Sequence, residues 1–255
     1  LFQQALNEIY GGKGDAVFNR QLFQISNNAI QQAFTIEFGK EDEDWGKGNA
    51  GFVNDFRKNG AIFSGYKAHT LTKEFSNLVY DGQGNQKTFK QFVADSQAIK
   101  EQDIRHLKTQ YNTAIKATRA AINFRQYLET EHLYPNLEYL ESAAANKRPD
   151  HLEYVGTVLP IRHEWWTSHM PPSGWNCQCR VRPSRKPVTP VPAGELVPPV
   201  FQNNPGTSAK FIKTDETPYY KKTDEKLRDA IEELAENMES LRRDFKLYKE
   251  FENGG

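Results

Sequence analysis

The residues best suited to chemistry lie together between Arg148 and Arg180. Both cysteines, Cys177 and Cys179, fall there with His151, His163 and His169, half of the six histidines, and with Trp165, Trp166 and Trp175. A C-x-C pair on a strand points both thiols to one face, because strand side chains alternate. Pro171, Pro172 and Gly174 mark a turn on the approach to the cysteines. Thiolates and imidazoles together are the ligand set of a closed structural zinc site. The other reading is plainer: two buried thiols behaving as small apolar groups, with histidines hydrogen-bonded to the turn. A third reading is Cys-His nucleophilic catalysis in a hydrolase or nuclease, which requires a cysteine exposed in a cleft beside a base. The sequence carries no phosphate-binding glycine loop and no H-E-x-x-H pair, since His163-Glu164 lacks a second histidine four residues on. No catalytic residue is therefore assigned.

The same stretch resembles the phage Mu F-like minor head proteins, the phage head morphogenesis family. The residues carrying the resemblance are Arg148 and His151, Gly156-Thr157-Val158-Leu159-Pro160, the pair Trp165-Trp166, His169, and the run from Pro171-Pro172 through Gly174-Trp175-Asn176-Cys177 to Cys179-Arg180. Members often carry acidic residues just before the aromatic pair, whereas this chain has Arg162-His163-Glu164. Weaker likeness runs from about Phe52 to Tyr220. The resemblance implies a minor capsid protein associated with the portal and other capsid proteins, acting in head morphogenesis and DNA packaging or delivery. It places the chain in the virion, or in the bacterial cytoplasm when a prophage encodes it. It also selects His151 and His169, which fall on family motif positions, to join Cys177 and Cys179 as ligands if zinc is bound. The alternatives are a DNA-binding module inside the head and the Cys-His enzyme above.

Composition narrows these classes. The 255 residues carry 33 basic and 33 acidic side chains, a formal net charge of zero. That balance argues against a nucleic-acid coat and leaves at most weak DNA binding by local basic runs such as Arg180–Lys186. No apolar run is long enough to span a bilayer, so no membrane partner is expected. With no disulfide framework, the cysteines suit a reducing compartment. The chain opens on Leu1 and closes on Asn253-Gly254-Gly255, and so reads as a piece of a longer protein.

The elements that must position the motif read as an α+β fold. The expected organisation is a mainly helical region over 1–134, a small core with antiparallel β structure and a proline-rich extension over 135–222, and a long C-terminal amphipathic helix over 223–255. Leu6 and Ile9 repeat at helical spacing before Gly11-Gly12, and Phe23 to Phe34 mark a second helix or a mixed segment. Phe52, Val53 and Phe56 predict a helix that Asn59-Gly60 closes, followed by another stripe at Leu71, Phe75 and Val79. His69 reads as a surface or capping residue. Glu41–Asp44 reads as a solvated acidic turn, and Asp81–Asn85 as a turn. From Ile104 through Leu107, Tyr111, Ala114, Thr118 and Ala121 the spacing predicts a long helix within 87–134, with Lys116, Arg119 and Arg125 on its solvated face. Pro135 ends it. Leu137–Leu140, Val155–Ile161 and Cys177–Val181 read as strands, the last two expected to pair, and Ala143–Asn146 as a turn. The three tryptophans are expected to share one core. Seven prolines over 183–205 describe an extended connector, and the downstream segment is expected to fold back on the core. Leu227, Ile231, Leu234, Met238, Leu241, Phe245 and Tyr248 form a heptad seam that both docking on the body of the protein and coiled-coil pairing predict, docking being the favoured reading.

Overall fold

A computed structural model describes residues 1–12, 17–39, 48–142, 144, 152–193 and 197–236. The acidic cluster Glu41–Asp44, the expected turn over 143–146 apart from Ala144, Arg148, His151 and the seam beyond Glu236 lie outside them. The fold is α+β. Among the described residues four helices come first: α1 (Phe2–Tyr10), α2 (Arg20–Phe38), α3 (Ala50–Ser76) and α4 (Phe89–Glu129). Strands β1 (Asn136–Leu140), β2 (Val158–Pro160) and β3 (Arg180–Ser184) form one antiparallel sheet in the order β2–β1–β3. Short helices α5 (Trp166–His169), α6 (Pro205–Ser208) and α7 (Pro218–Lys221) follow the chain to α8 (Glu225–Glu236).

The chain forms two compact units, each assembled from separate stretches. The first holds Leu1–Asn27, Ala61–Ile99 and Pro218–Gly255. Its core gathers Leu6, Ile9, Leu22, Phe75, Phe92 and Ile231, of which Leu6, Ile9, Phe75 and Ile231 lie on the stripes that helical spacing predicts. Helix α1 stops where Gly12 takes a φ of 66°, a backbone open to glycine at no steric cost. Helix α8 docks over its described residues. Ile231 presses so closely on Gly65 that a Cβ there would lie 2.6 Å from Ile231 Cγ2. The Tyr66 hydroxyl donates to Glu232 Oε1 at 2.9 Å. Burial, then that carboxylate, pushes the phenol's pKa well up. His69 is no surface residue. It is buried, with Nδ1 2.6 Å from the Val17 carbonyl. The Asp81 turn forms as expected, its Oδ1 accepting from the N–H groups of Gln83 and Asn85.

The second unit holds Asn28–Gly60 and Lys100–Thr217. Here the expected helix end at Asn59-Gly60 is corrected, because α3 runs through it unbroken. Gly60 is a packing residue. A Cβ would sit 2.5 Å from Phe34 Cε2 and 2.9 Å from Ile30 Cγ2. Asn59 Oδ1 accepts from the Phe211 N–H at 3.0 Å, so both residues serve contact and not termination.

The strands are also corrected. β2 is three residues long and is preceded by a turn in which Gly156 has φ 84°. β3 begins at Arg180, so the cysteines precede it. It pairs with β1, Tyr139 opposite Val181, and not with β2. β1 is buried from Asn136 to Tyr139 and sits in the middle of the sheet, which gives both neighbours one buried strand to cover. The downstream segment folds back within this unit. Phe201 meets Trp175 edge-on at 5.1 Å, Phe211 meets Phe34 at 5.6 Å, and Gly206 lies where a Cβ would be 2.8 Å from Phe124.

Candidate functional site

The C-x-C segment is extended without being a strand. Cys177 and Cys179 are buried and Gln178 between them is exposed, so both thiols share one side as expected. What sets the segment is the residue before it. Asn176 has φ 58°, a left-handed conformation that asparagine tolerates better than other side-chain-bearing residues. Helix α4 holds that turn from both backbone ends. Thr113 Oγ1 accepts from the Asn176 N–H at 3.0 Å, and Lys116 Nζ donates to the Asn176 carbonyl at 3.1 Å. Thr113 and Lys116 are three apart on one helical face, which suits them to grip a single residue. Sequence reading placed Lys116 on a solvated face and gave Thr113 no part. The only signal was their i, i+3 spacing, which names no partner.

The thiols lie close together. The Cys179 N–H points to Cys177 Sγ at 3.5 Å. The hydrogen bond to Cys177, then burial, pushes the Cys179 thiol far up, with the Tyr139 hydroxyl and Ser142 acting the other way. That favours the protonated Cys179 thiol over the thiolate of a nucleophile. Burial, together with the neighbouring sulfurs, likewise keeps Tyr139 protonated, and its hydroxyl lies 3.3 Å from Ser173 Oγ.

His169 belongs to an aromatic cluster. Its ring stacks on Trp165 at 4.4 Å and 7°, and meets Tyr154 edge-on at 5.4 Å. Nδ1 lies 2.8 Å from Ser168 Oγ and 3.1 Å from the Trp165 carbonyl. Burial lowers the pKa of this imidazole, with the Trp165 bond opposing. His163 Nδ1 accepts from the Trp165 N–H just before α5. Trp165 and Trp166 share this cluster, whereas Trp175 packs separately on Phe201. Among the described residues, no three of His, Cys, Asp and Glu stand close enough to hold a metal ion. His151, the remaining expected ligand, lies outside them.

Between α4 and β3 the cysteines line a cavity of about 520 Å³. Its cationic border is Lys116 and Arg119 from α4, with Arg180 and Arg182 from β3, and its apolar wall includes Leu140, Met170, Pro171 and Pro172. The Pro171–Pro172 peptide bond in that wall is cis. The basic run is only partly solvated. Arg182 and Lys186 both bind the buried Glu138 carboxylate, at 2.9 and 2.6 Å, and hold its pKa below the usual carboxylate range, Lys186 contributing most. Arg119 pairs bidentately with Glu37. Arg125 lies 4.6 Å over the Phe52 ring.

Residues 69–182 match the family described as Phage Mu protein F like protein. That span contains both cysteines, His169, all of α4 and the whole three-stranded sheet apart from the last two residues of β3, and the match is the one that the residues from Arg148 to Arg180 led one to expect. The chain is also 34% identical over 97 residues to the putative capsid assembly protein F of Escherichia phage Mu. That alignment takes in 36% of this chain and 22% of the relative. No solved structure matches. Among the described residues, no helix is long and apolar enough to cross a membrane.

Proposed function

We propose that the chain is a minor head protein of a phage or prophage, a structural component and not an enzyme. It assembles with other capsid proteins beside the portal, and acts in head morphogenesis and in the packaging or delivery of DNA. The observation that carries this reading is the family match across residues 69–182. The burial of the motif agrees with it. The thiols, Trp165, Trp166 and His169 are buried in a packed scaffold, which suits a motif that builds a shape for assembly.

The test is made in the phage or induced prophage that encodes the chain. Mass spectrometry of density-purified heads is expected to find the protein in the particle at far fewer copies than the major capsid protein. Disrupting its gene is expected to leave heads that are misassembled, unfilled or unable to deliver DNA. Purified particles that lack the protein, together with full infectivity of the disrupted phage, would overturn the reading.

A further inference from the structure

The cavity between α4 and β3 is cationic, partly apolar and bounded by the outer edge of β3. In the β1 ladder, the Tyr139 N–H and carbonyl both bond toward β2, to Thr157 and Gly156. Tyr139 is opposite Val181, so the backbone groups of Val181 point away from β1, to the outer edge of the sheet. The Tyr127 hydroxyl of α4 reaches the Val181 carbonyl at 3.4 Å, which shows that this edge faces the cavity that both residues line. The Val181 N–H lies on the same edge. Pro183, opposite Leu137, has no N–H to offer, so the edge presents a single donor flanked by arginines.

The charges around that donor are unequal. Arg119 and Arg182 have carboxylate partners in Glu37 and Glu138. Lys116 and Arg180 have none among the described residues. Lys116 is half-buried and donates to a neutral carbonyl. An ammonium in that position is stabilised by any anion that enters beside it. A bare phosphate or a duplex backbone satisfies the cations but not the wall of Leu140, Met170, Pro171 and Pro172. An extended peptide satisfies both, because alternate side chains face opposite ways while its backbone meets the strand edge.

We propose that this cavity binds an acidic, extended segment of a partner protein, whose backbone accepts from the Val181 N–H, whose carboxylates meet Lys116 and Arg180, and whose apolar side chain seats against Leu140 and Met170. That the partner is another head protein rests on the function proposed above; the acidic-peptide site itself does not.

The probe is a short fluorescent peptide of alternating glutamate and leucine, titrated by anisotropy against the full chain. Unlabelled competitors are an alternating lysine–leucine peptide, a duplex oligonucleotide and inorganic phosphate. The glutamate peptide is expected to bind, to slow amide exchange at Val181, and to weaken about tenfold in Arg180→Glu and in Lys116→Gln. The glutamine amide in Lys116→Gln keeps a donor for the Asn176 carbonyl while losing the charge. Arg180 is exposed and has no carboxylate partner among the described residues, so Arg180→Glu keeps the test decisive should the Lys116 variant fold poorly. Competition by the oligonucleotide or by phosphate at equal charge would overturn the proposal in favour of a phosphate site. Absence of peptide binding, or binding that Arg180→Glu leaves unchanged, would refute it outright. Neither result bears on whether the protein is found in heads.

Discussion

Replacing Gly60 by alanine sets helix propensity against packing at one position. In an exposed helix interior the change is worth about 1 kcal/mol in alanine's favour. At Gly60 the new methyl would sit 2.5 Å from Phe34 Cε2, 3.0 Å from Phe34 Cζ and 2.9 Å from Ile30 Cγ2. Phe34 has little room to retreat. It is fully buried, edge-on to Phe56 at 4.9 Å and to Phe211 at 5.6 Å. Overpacking a filled core costs about 1–3 kcal/mol, and a contact this short against a locked ring belongs in the upper part of that range. The net expectation is a loss of about 1–2 kcal/mol, or a few degrees in Tm for a chain of this size. Gly51 supplies the control in the same helix. It is exposed and a Cβ there meets nothing within 4 Å, so Gly51→Ala is expected to be neutral or to stabilise by about 0.5 kcal/mol. Urea unfolding followed by circular dichroism reads both midpoints. Pairing Gly60→Ala with Phe34→Leu should return about 1 kcal/mol of the loss through their coupling. If Gly60→Ala stabilises as Gly51→Ala does, the close approach of the two helices is wrong.

At Asn176, the left-handed backbone makes Asn176→Ala cost about 1 kcal/mol, whereas Asn176→Gly should fall within a few tenths, measured by thermal melts of the two variants. Glu138 carries a pH signature. Its folded pKa is depressed, chiefly by Lys186 and then by Arg182, so its stabilisation is present above the ordinary carboxylate value of about 4.3 and is lost as pH falls through the folded value. Glu138→Gln should therefore melt below the parent at pH 7, with the gap closing in acid; a gap that stays constant to pH 3 contradicts the ion pair as its cause. Zinc on Cys177, Cys179, His151 and His169 is a proposal for elemental analysis to decide. One zinc per chain, lost in Cys179→Ser together with a lower Tm, carries it, and a metal-free chain with two titratable thiols refutes it.

Much of the secondary structure was legible because periodicity is a local property. The long run from Ile104 to Leu128 could satisfy its apolar face only as a helix, and α4 follows it. The turn at Asp81, the break at Gly11-Gly12 and the strand at Leu137–Leu140 were read from short-range chemistry and stand as read. The motif from Pro171 to Arg180 was also visible as a unit, since the order of its residues is a linear pattern. What the chain in isolation did not decide was which partner each residue meets. Asn59-Gly60 has the composition of a helix end, and only the approach of Phe34 and Phe211 turns it into a packing site. His69 looked solvated until Val17 covered it. Lys116 and Thr113 became parts of the site because a turn some sixty residues away rests on them. Pairing of β3 with β1 was likewise a tertiary outcome. A three-residue β2 and a five-residue β3 are each too short to choose a neighbour by local preference, and the choice fell to the one strand buried along its length.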